Sequence, residues 1–93
     1  MKPERQKKEV LMRLKRIEGQ LRGLQRMVEE GSPCADILTQ VGAATAAMKK
    51  AGIAIVQIHM EECLNKTKNE SVAKRGESLK DLQEAVSRFM AWA

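Results

Sequence analysis

The feature that most constrains the fold is a seam of apolar residues in the first third of the chain, spaced alternately by four and three positions. Its members are Val10, Leu14, Ile17, Leu21, Leu24 and Val28. This spacing is typical of one face of an α-helix and does not fit the two-residue alternation of a strand. The seam predicts a long amphipathic first helix, which we expect to end at a glycine cap, Gly31.

A second long helix is predicted directly after this cap. Ser32 and Pro33 form a helix start signal, because a hydroxyl caps the first turn and proline fits its first position. No strong helix breaker follows before about Asn65, so we expect about 30 residues of continuous helix after a tight hairpin. The middle of this helix is rich in alanine and glycine between Gly42 and Gly52.

The last part of the chain predicts a loop and a third helix. The polar stretch from Lys66 to Gly76 is typical of a loop, and Ser78 with Asp81 resembles a helix-capping pair. We expect the third helix to bury Leu79, Leu82, Val86, Phe89 and Met90. Residues 1–93 are therefore predicted to form a single all-α domain, and a lone domain of 93 residues has so small a core that we also expect oligomerisation.

The charge of the chain favours a polyanionic partner. Lys and Arg number 17 against 12 Asp and Glu, which gives a formal net charge of +5. Phe89 and Trp92 are the only aromatic residues, which disfavours single-strand binders that stack bases on aromatic rings. The basic residues expected to contact double-stranded DNA are Arg13, Lys15, Arg16, Arg22, Lys49 and Lys50. Because no helix-turn-helix is evident, phosphate contacts should dominate DNA affinity.

The apolar content predicts a cytoplasmic protein with no membrane partner. The first nine residues are charged, and no apolar run approaches the 18 or so residues that span a bilayer. No signal-peptide core follows the N-terminus. In the reducing cytosol, Cys34 and Cys63 are expected to be thiols available for metal or redox chemistry.

Three residues form a candidate metal-binding set. His59 and Cys63 are four positions apart in the second helix, so they share one helix face. Taken alone, this pair is a weak signal that fits a partly buried histidine beside an inert cysteine better than a metal site. Cys34 adds a second thiol, and two thiolates with one imidazole form a soft set suited to copper(I), whereas structural zinc requires a fourth ligand.

The spacing of these residues predicts a site shared between two chains. Cys34 and His59 are separated by 25 positions (34 to 59), which corresponds to roughly 37 Å along a continuous helix. One chain therefore cannot close the site. An antiparallel pairing of two second helices near Ala47 and Met48 would bring Cys34 of one chain beside His59 and Cys63 of the other, with the small residues at the crossing point.

Three segments carry a resemblance to a known family: RLKRIEGQLRG from Arg13 to Gly23, CADILTQ from Cys34 to Gln40, and HMEEC from His59 to Cys63. They resemble the copper-sensitive operon repressors and their nickel/cobalt-, formaldehyde- and persulfide-sensing relatives. The resemblance implies a three-helix protomer, an antiparallel four-helix-bundle dimer that pairs into a homotetramer, and DNA release on effector binding.

The resemblance also implies roles for individual residues. Cys34 of one protomer and His59 and Cys63 of another would form a trigonal copper(I) site. Asp81 stands where many copper-sensing members have a glutamate that orients the metal ligands. Pro33 stands where many of them have a tyrosine.

The predicted function is a copper(I)-responsive repressor that binds operator DNA without metal and releases it on metal binding. Nickel and cobalt relatives add an N-terminal histidine, whereas the one histidine here is His59, and persulfide relatives lack a histidine at that position. A persulfide or thiol sensor of the same family and a metal-binding helical module without a DNA role remain alternatives. An enzyme is not expected, because one histidine and two cysteines do not assemble a nucleophile, base and oxyanion set.

Overall fold

A computed structural model describes residues 3–66 and 72–93, which form three α-helices. Helix α1 spans Pro3–Glu29, α2 spans Cys34–Lys66 and α3 spans Val72–Trp92. The described residues contain no strand. Within these ranges the side chains of residues 3, 63, 66, 72, 73, 75 and 78 are outside the description. The prediction of an all-α, three-helix chain is confirmed.

Helix α1 ends at the predicted glycine. Gly31 has a φ of 69°, a left-handed conformation that glycine adopts without a steric penalty. The Ser32 N–H donates to the Met27 carbonyl (2.9 Å), and the Gly31 N–H donates to the Val28 carbonyl (3.2 Å). This pair of bonds is the Schellman arrangement, which satisfies carbonyls that the last turn leaves without helical partners.

Helix α2 is the continuous long helix that the sequence predicts. The Pro33 carbonyl accepts hydrogen bonds from the Asp36 and Ile37 N–H groups (3.0 and 3.1 Å), and the helix then continues for 33 residues. Only four residues separate it from the end of α1, so the hairpin is as tight as predicted.

Helix α3 begins earlier than predicted. Gly76 and Ser78 lie inside Val72–Trp92, so both the loop assigned to residues 72–76 and the cap assigned to Ser78 and Asp81 are wrong. The rest of that loop, residues 67–71, is outside the described residues, and Lys66 still belongs to α2. One internal glycine costs a helix only about 1 kcal/mol relative to alanine, and neighbours such as Lys74 and Glu77 are good helix formers.

The chain divides into two compact units, Met1–Ala51 and Gly52–Ala93, with the division inside α2. In the first unit, Ile17 of α1 and Ala44 and Ala51 of α2 are buried. The predicted seam is therefore buried at its centre, whereas Leu21 and Val28 remain 47% and 62% exposed. That residues 1–93 form one domain stays a prediction, because both units share α2.

In the second unit, the Phe89 ring packs directly on Gly52. A Cβ atom added at Gly52 would lie 2.5 Å from Phe89 Cζ, closer than any side chain tolerates without a shift. Leu82, Val86 and Phe89 are half-buried, as the predicted inner face of α3 requires. Leu79 and Met90, which were assigned to the same face, are exposed, so the prediction of their burial within one chain is wrong.

One stretch of α2, Cys34–Glu62, has the length and apolar composition to cross a membrane, with a mean hydropathy of 1.2. The sequence nevertheless contains no unbroken apolar run of that length, as expected, because Lys49 and Lys50 interrupt the stretch and its alanines and β-branched residues raise the average. Core helices of soluble bundles pass the same test. Among the described residues only 11% of this stretch is buried, so most of it is exposed in the single chain.

Candidate metal centre and basic groove

Helix α1 and the first half of α2 line an open groove of about 690 Å³ within the first unit. We call it the basic groove. Its lining residues are Arg13, Arg16, Gly19 and Gln20 from α1, and Ala43, Ala46, Ala47 and Lys50 from α2. The lining includes three cationic side chains and no acidic one, so the groove is suited to an anion.

Helical periodicity explains why these residues meet. Arg13, Arg16 and Gln20 occupy positions i, i+3 and i+7, which lie on one face of α1. The four α2 residues follow the same rule, with three alanines before Lys50. Because alanine side chains are short, the α2 wall leaves space in front of the α1 cations.

The six residues predicted to contact DNA fall into two groups. All six are exposed in the structure. Arg13, Arg16 and Lys50 line the basic groove, whereas Lys15, Arg22 and Lys49 do not. The structure thus brings half of the predicted set together, and the DNA contact of each residue stays a prediction.

Gln20 is a groove residue that the sequence reasoning missed. Its Oε1 atom is buried and has no hydrogen-bond partner among the described residues. The signal that would have revealed it is positional, since Gln20 follows Arg16 by four residues and Arg13 by seven on the same helix face. Charge alone directed attention to the arginines and lysines.

Of the three predicted metal ligands, Cys34 and His59 have described side chains. Cys34 is the first residue of α2, and its thiol is free and exposed. The His59 side chain is 61% exposed, and its Nδ1 atom lies 3.5 Å from Oε2 of Glu62, one turn further along α2. Both donors are accessible to a ligand from outside the chain. Glu62 was not among the predicted site residues, although its i,i+3 spacing from His59 is a known pairing distance.

The other two predicted site residues are less defined. Cys63 lies in α2, but its side chain is outside the described part of the chain. Asp81 is exposed on α3. Among the side chains that the structure describes, which do not include that of Cys63, no group of three or more His, Cys, Asp or Glu residues lies close enough together to hold a metal ion.

The three predicted ligands nevertheless share a helix face. Cys34 precedes His59 by 25 positions (34 to 59) and Cys63 by 29 (34 to 63). At 3.6 residues per turn these separations are about seven and eight whole turns. In a regular helix the three positions therefore fall on one side, which we call the ligand face.

Comparison with known proteins identifies the family. The sequence profile described as "Metal-sensitive transcriptional repressor" matches residues 6–88. The copper-sensing transcriptional repressor RicR of Mycobacterium tuberculosis is 33% identical over 85 residues, covering 91% of this chain and 88% of RicR. The copper-sensing transcriptional repressor CsoR of Bacillus subtilis is 44% identical over 63 residues, covering 68% of this chain and 62% of that protein.

Two solved structures share the fold. The copper-sensing repressor CsoR with Cu(I) from Geobacillus thermodenitrificans superposes with a TM-score of 0.79 at 37% identity, covering 89% of this chain and 84% of that one. The nickel-responsive transcriptional regulator InrS gives a TM-score of 0.74 at 36% identity, covering 88% and 90%. The match along nearly the whole chain, in sequence and in structure, shows that this protein belongs to the metal-sensitive transcriptional repressor family.

Proposed function

We propose that this protein is a copper(I)-responsive repressor that holds operator DNA when metal-free and releases it when copper(I) binds. Membership of the family makes the chain a DNA-binding transcriptional repressor that senses a metal, and not an enzyme. The observation that carries the choice of copper is the donor set, two thiols and the chain's one imidazole.

The chemistry of this set separates copper from nickel. Thiolates are soft ligands that select copper(I), whereas nickel(II) favours tetragonal sites with nitrogen and oxygen donors. The relatives include copper-sensing and nickel-responsive proteins, so relationship alone does not choose between the metals. His59 is the one histidine available to a metal, and residues 1–30 supply none.

We infer that each metal site is shared between two chains. Cys34 and His59 are both exposed, and about seven turns of the continuous helix α2 separate them, so one chain cannot bring both to one metal ion. Val41 and Met48 are exposed apolar residues of α2, and helical spacing places them beside the ligand face. An antiparallel second copy on this face would cover them and bring Cys34 of one chain to His59 and Cys63 of the other.

The proposed assembly is a homotetramer made from two such dimers, acting in the cytoplasm. Thirteen large apolar side chains are exposed in the described chain, more than one soluble domain of this size ordinarily leaves in contact with water. A dimer contact along α2 does not involve Leu11 and Met12 of α1, which are also exposed. Their exposure supports a second contact, between dimers.

The basic groove is the proposed DNA contact, with Lys15, Arg22 and Lys49 extending it. Positive side chains release counterions when they neutralise DNA phosphates, and this release drives binding. Ala47 and Lys50 of the groove belong to the same helix as Cys34 and His59. A change in the packing of α2 against the partner chain would therefore affect both the basic groove and the metal site.

Bound copper(I) would supply ligand bonds between two chains, held by Cys34 from one and by His59 and Cys63 from the other. Release of DNA requires that the metal-bound packing of α2 have the lower DNA affinity, and the coupling between metal and DNA is then reciprocal. We propose that Asp81 orients His59, because a side chain that hydrogen-bonds to a metal ligand fixes the position of that ligand.

A persulfide-sensing repressor is the second candidate, because Cys34 is a free, exposed thiol. In that function Cys34 and Cys63 of different chains are bridged by sulfur and His59 has no part. The other alternative, a metal-binding module with no DNA role, does not fit a family of transcriptional repressors.

The test combines metal stoichiometry with DNA release. Reduced, metal-free protein bound to a labelled duplex from upstream of its own gene is titrated with copper(I), nickel(II) or a persulfide donor. Thiolate-to-copper absorption and fluorescence anisotropy are recorded together. We expect DNA release to be complete at one copper(I) per chain. Retention of DNA at that stoichiometry, or release by the persulfide donor alone, would contradict the proposal.

A further inference from the structure

We propose that Phe89 is a subunit-contact residue, whose ring completes the ligand face at Gly52 and packs against Val41 and Thr45 of the partner chain. The partner is a second copy of this chain. The inference rests on the proposed sharing of the metal site, because that sharing sets the register of the two chains. It adds a contact from α3 to an interface otherwise formed by α2.

The first observation is that Gly52 is in line with the proposed metal ligands. It follows Cys34 by 18 positions (34 to 52) and precedes His59 by seven (52 to 59). At 3.6 residues per turn these separations are about five and two whole turns. A side chain at position 52 would therefore stand on the ligand face, where glycine has none.

The second observation is that the Phe89 ring occupies this place. A Cβ atom added at Gly52 would lie 2.5 Å from Phe89 Cζ and 2.6 Å from Cε1, so the end of the ring stands where a side chain at position 52 would begin. Phe89 is only half-buried, which leaves part of its surface open to another molecule. A helix that packs along the ligand face thus cannot reach Gly52 and meets Phe89 instead.

The third observation is an open row of side chains on the ligand face between Cys34 and Gly52. Its members, spaced alternately by four and three positions, are Leu38, Val41, Thr45 and Met48. This is the spacing of helices that pack side by side. The three large apolar members are 42–61% exposed. The Thr45 hydroxyl donates to the Val41 carbonyl (2.8 Å), so Thr45 needs no polar partner and its methyl group can pack against an apolar surface.

The register of the shared metal site places this open row opposite Phe89. When Cys34 of one chain lies beside the two remaining ligands of the other, the antiparallel helices put position 52 opposite about position 43. That position lies between Val41 and Thr45 of the partner chain, so these side chains meet the Phe89 ring. The contact is about nine residues, or roughly 13 Å, from the metal ligands. It therefore supports the pairing of the chains without touching the metal.

An isotope-filtered NOE experiment on the full-length, metal-free protein tests the contact without any substitution. Phe89 is the one phenylalanine of the chain, so its ring signals are assigned directly. Chains protonated only in the phenylalanine ring exchange subunits with chains protonated only in the valine and threonine methyl groups, so every ring-to-methyl cross-peak joins two chains. We expect cross-peaks from the Phe89 ring to the methyl groups of Val41 and Thr45.

An exclusively monomeric protein, or a mixed assembly in which the ring shows no cross-peak to Val41 or Thr45, would overturn the inference. Cross-peaks to other valines alone would overturn it too, because they would place the ring against a different part of the partner. The proposed function is judged separately. The expected cross-peaks in a protein that binds no copper(I) would refute the function and leave the contact standing, whereas copper(I) binding without them would do the reverse.

A double-mutant cycle measures the same contact energetically. Phe89→Leu keeps an apolar side chain above Gly52, and Val41→Ala shortens an exposed side chain. The dissociation constant of the assembly is measured by sedimentation for each variant and for the combined variant. Because side chains in contact do not contribute independently, we expect the combined effect to differ from the product of the single effects by at least about twofold.

Val28→Ala is the matched control for this cycle, because Val28 is an exposed valine of α1 outside the ligand face. Its effect on the dissociation constant should multiply with that of Phe89→Leu, as expected for distant residues. If Val41→Ala behaves in the same independent way as Val28→Ala, Phe89 does not contact Val41 of the partner chain and the inference is overturned.

Discussion

The basic groove and the ligand face differ in how much of each site one chain supplies. The groove is lined by α1 and α2 within a single unit, and three cations already face a common space. The proposed metal donors Cys34 and His59 are instead separated by 25 positions (34 to 59) of the continuous helix α2. Under the proposed function, each protomer carries its own DNA contact, whereas metal detection requires the assembly of two chains.

The physical origin of the difference is the length of α2. Residues three, four and seven apart on two neighbouring helices meet locally, which is how Arg13, Arg16 and Lys50 share a groove. Cys34 and His59 are instead seven turns apart on one helix, and no side chain spans that separation. Variants of the ligand face should therefore change metal binding and leave metal-free DNA binding unaltered, and variants of the groove should do the reverse.

Cys63→Ser should have the largest effect. Removal of a ligating thiolate should lower copper(I) affinity by more than about 100-fold, since even residues that only support metal ligands contribute 10- to 100-fold. Competition with a copper(I) chelator measures the affinity. DNA binding of the metal-free variant is the internal control and should match the wild type. Full copper affinity in Cys63→Ser would remove this residue from the site.

His59→Ala, a second variant of the ligand face, should have a smaller effect. We expect copper affinity to fall by about 10- to 100-fold with metal-free DNA binding intact, because both soft thiolates remain. Metal-induced DNA release, followed by anisotropy, should shift to higher free copper. A persulfide donor releasing DNA equally from wild type and His59→Ala, with copper ineffective on both, would instead establish the sulfur-sensing alternative.

Gly52→Ala should destabilise the second unit. The added methyl group meets the Phe89 ring, and overpacking of about 1–3 kcal/mol outweighs a gain in helix propensity of about 1 kcal/mol. Gly76→Ala is the matched control, because its Cβ meets nothing within 4 Å, and it should raise the free energy of unfolding by about 0.5–1 kcal/mol. Chemical denaturation at one fixed protein concentration measures both, since assembly links stability to concentration. Equal stabilisation by the two substitutions would show that Phe89 moves away at no cost.

Arg16→Ala, a variant of the basic groove, should have the smallest effect. Loss of one phosphate contact should reduce the salt slope of DNA binding by about one unit on operator and scrambled duplexes alike. Arg26→Ala removes an exposed arginine of α1 outside the groove lining and should leave the slope unchanged. Copper affinity without DNA should be the same in both variants. An unchanged slope for Arg16→Ala in a correctly assembled protein would exclude this residue from the DNA contact.

The sequence predicts most of the fold because local signals decide it. The apolar seam, Gly31 and Pro33 determine where α1 ends and α2 begins, and each is a short-range effect. Gly76 and Ser78 misled the prediction of α3, because their weak preference against an internal helix position is outweighed by good helix formers around them. The exposure of Leu21 and Val28 could not be predicted from the seam, since a regular pattern does not show which molecule covers it.

The two sites were likewise predictable only in part from the sequence. Arg13, Arg16 and Lys50 were predictable from charge and helix periodicity. Helix periodicity also places Gln20 on that face, but the burial of its Oε1 atom without a partner depends on packing and could not be predicted. The metal ligands were proposed from residue chemistry and spacing, but the proposed meeting of Cys34 with His59 and Cys63 depends on a second chain, whose placement no single sequence position encodes.

The most direct test of the shared metal site mixes two defective proteins. Cys34→Ala and His59→Ala chains are combined in equal amounts, subunit exchange is verified by mass spectrometry, and copper(I) binding is titrated. In each mixed dimer one site lacks both mutated ligands and the other is fully wild-type, so random exchange should restore about a quarter of the wild-type sites. Each variant alone should have none of wild-type affinity. If no high-affinity copper(I) sites appear after the chains have exchanged, the ligands do not come from two chains and the account is contradicted.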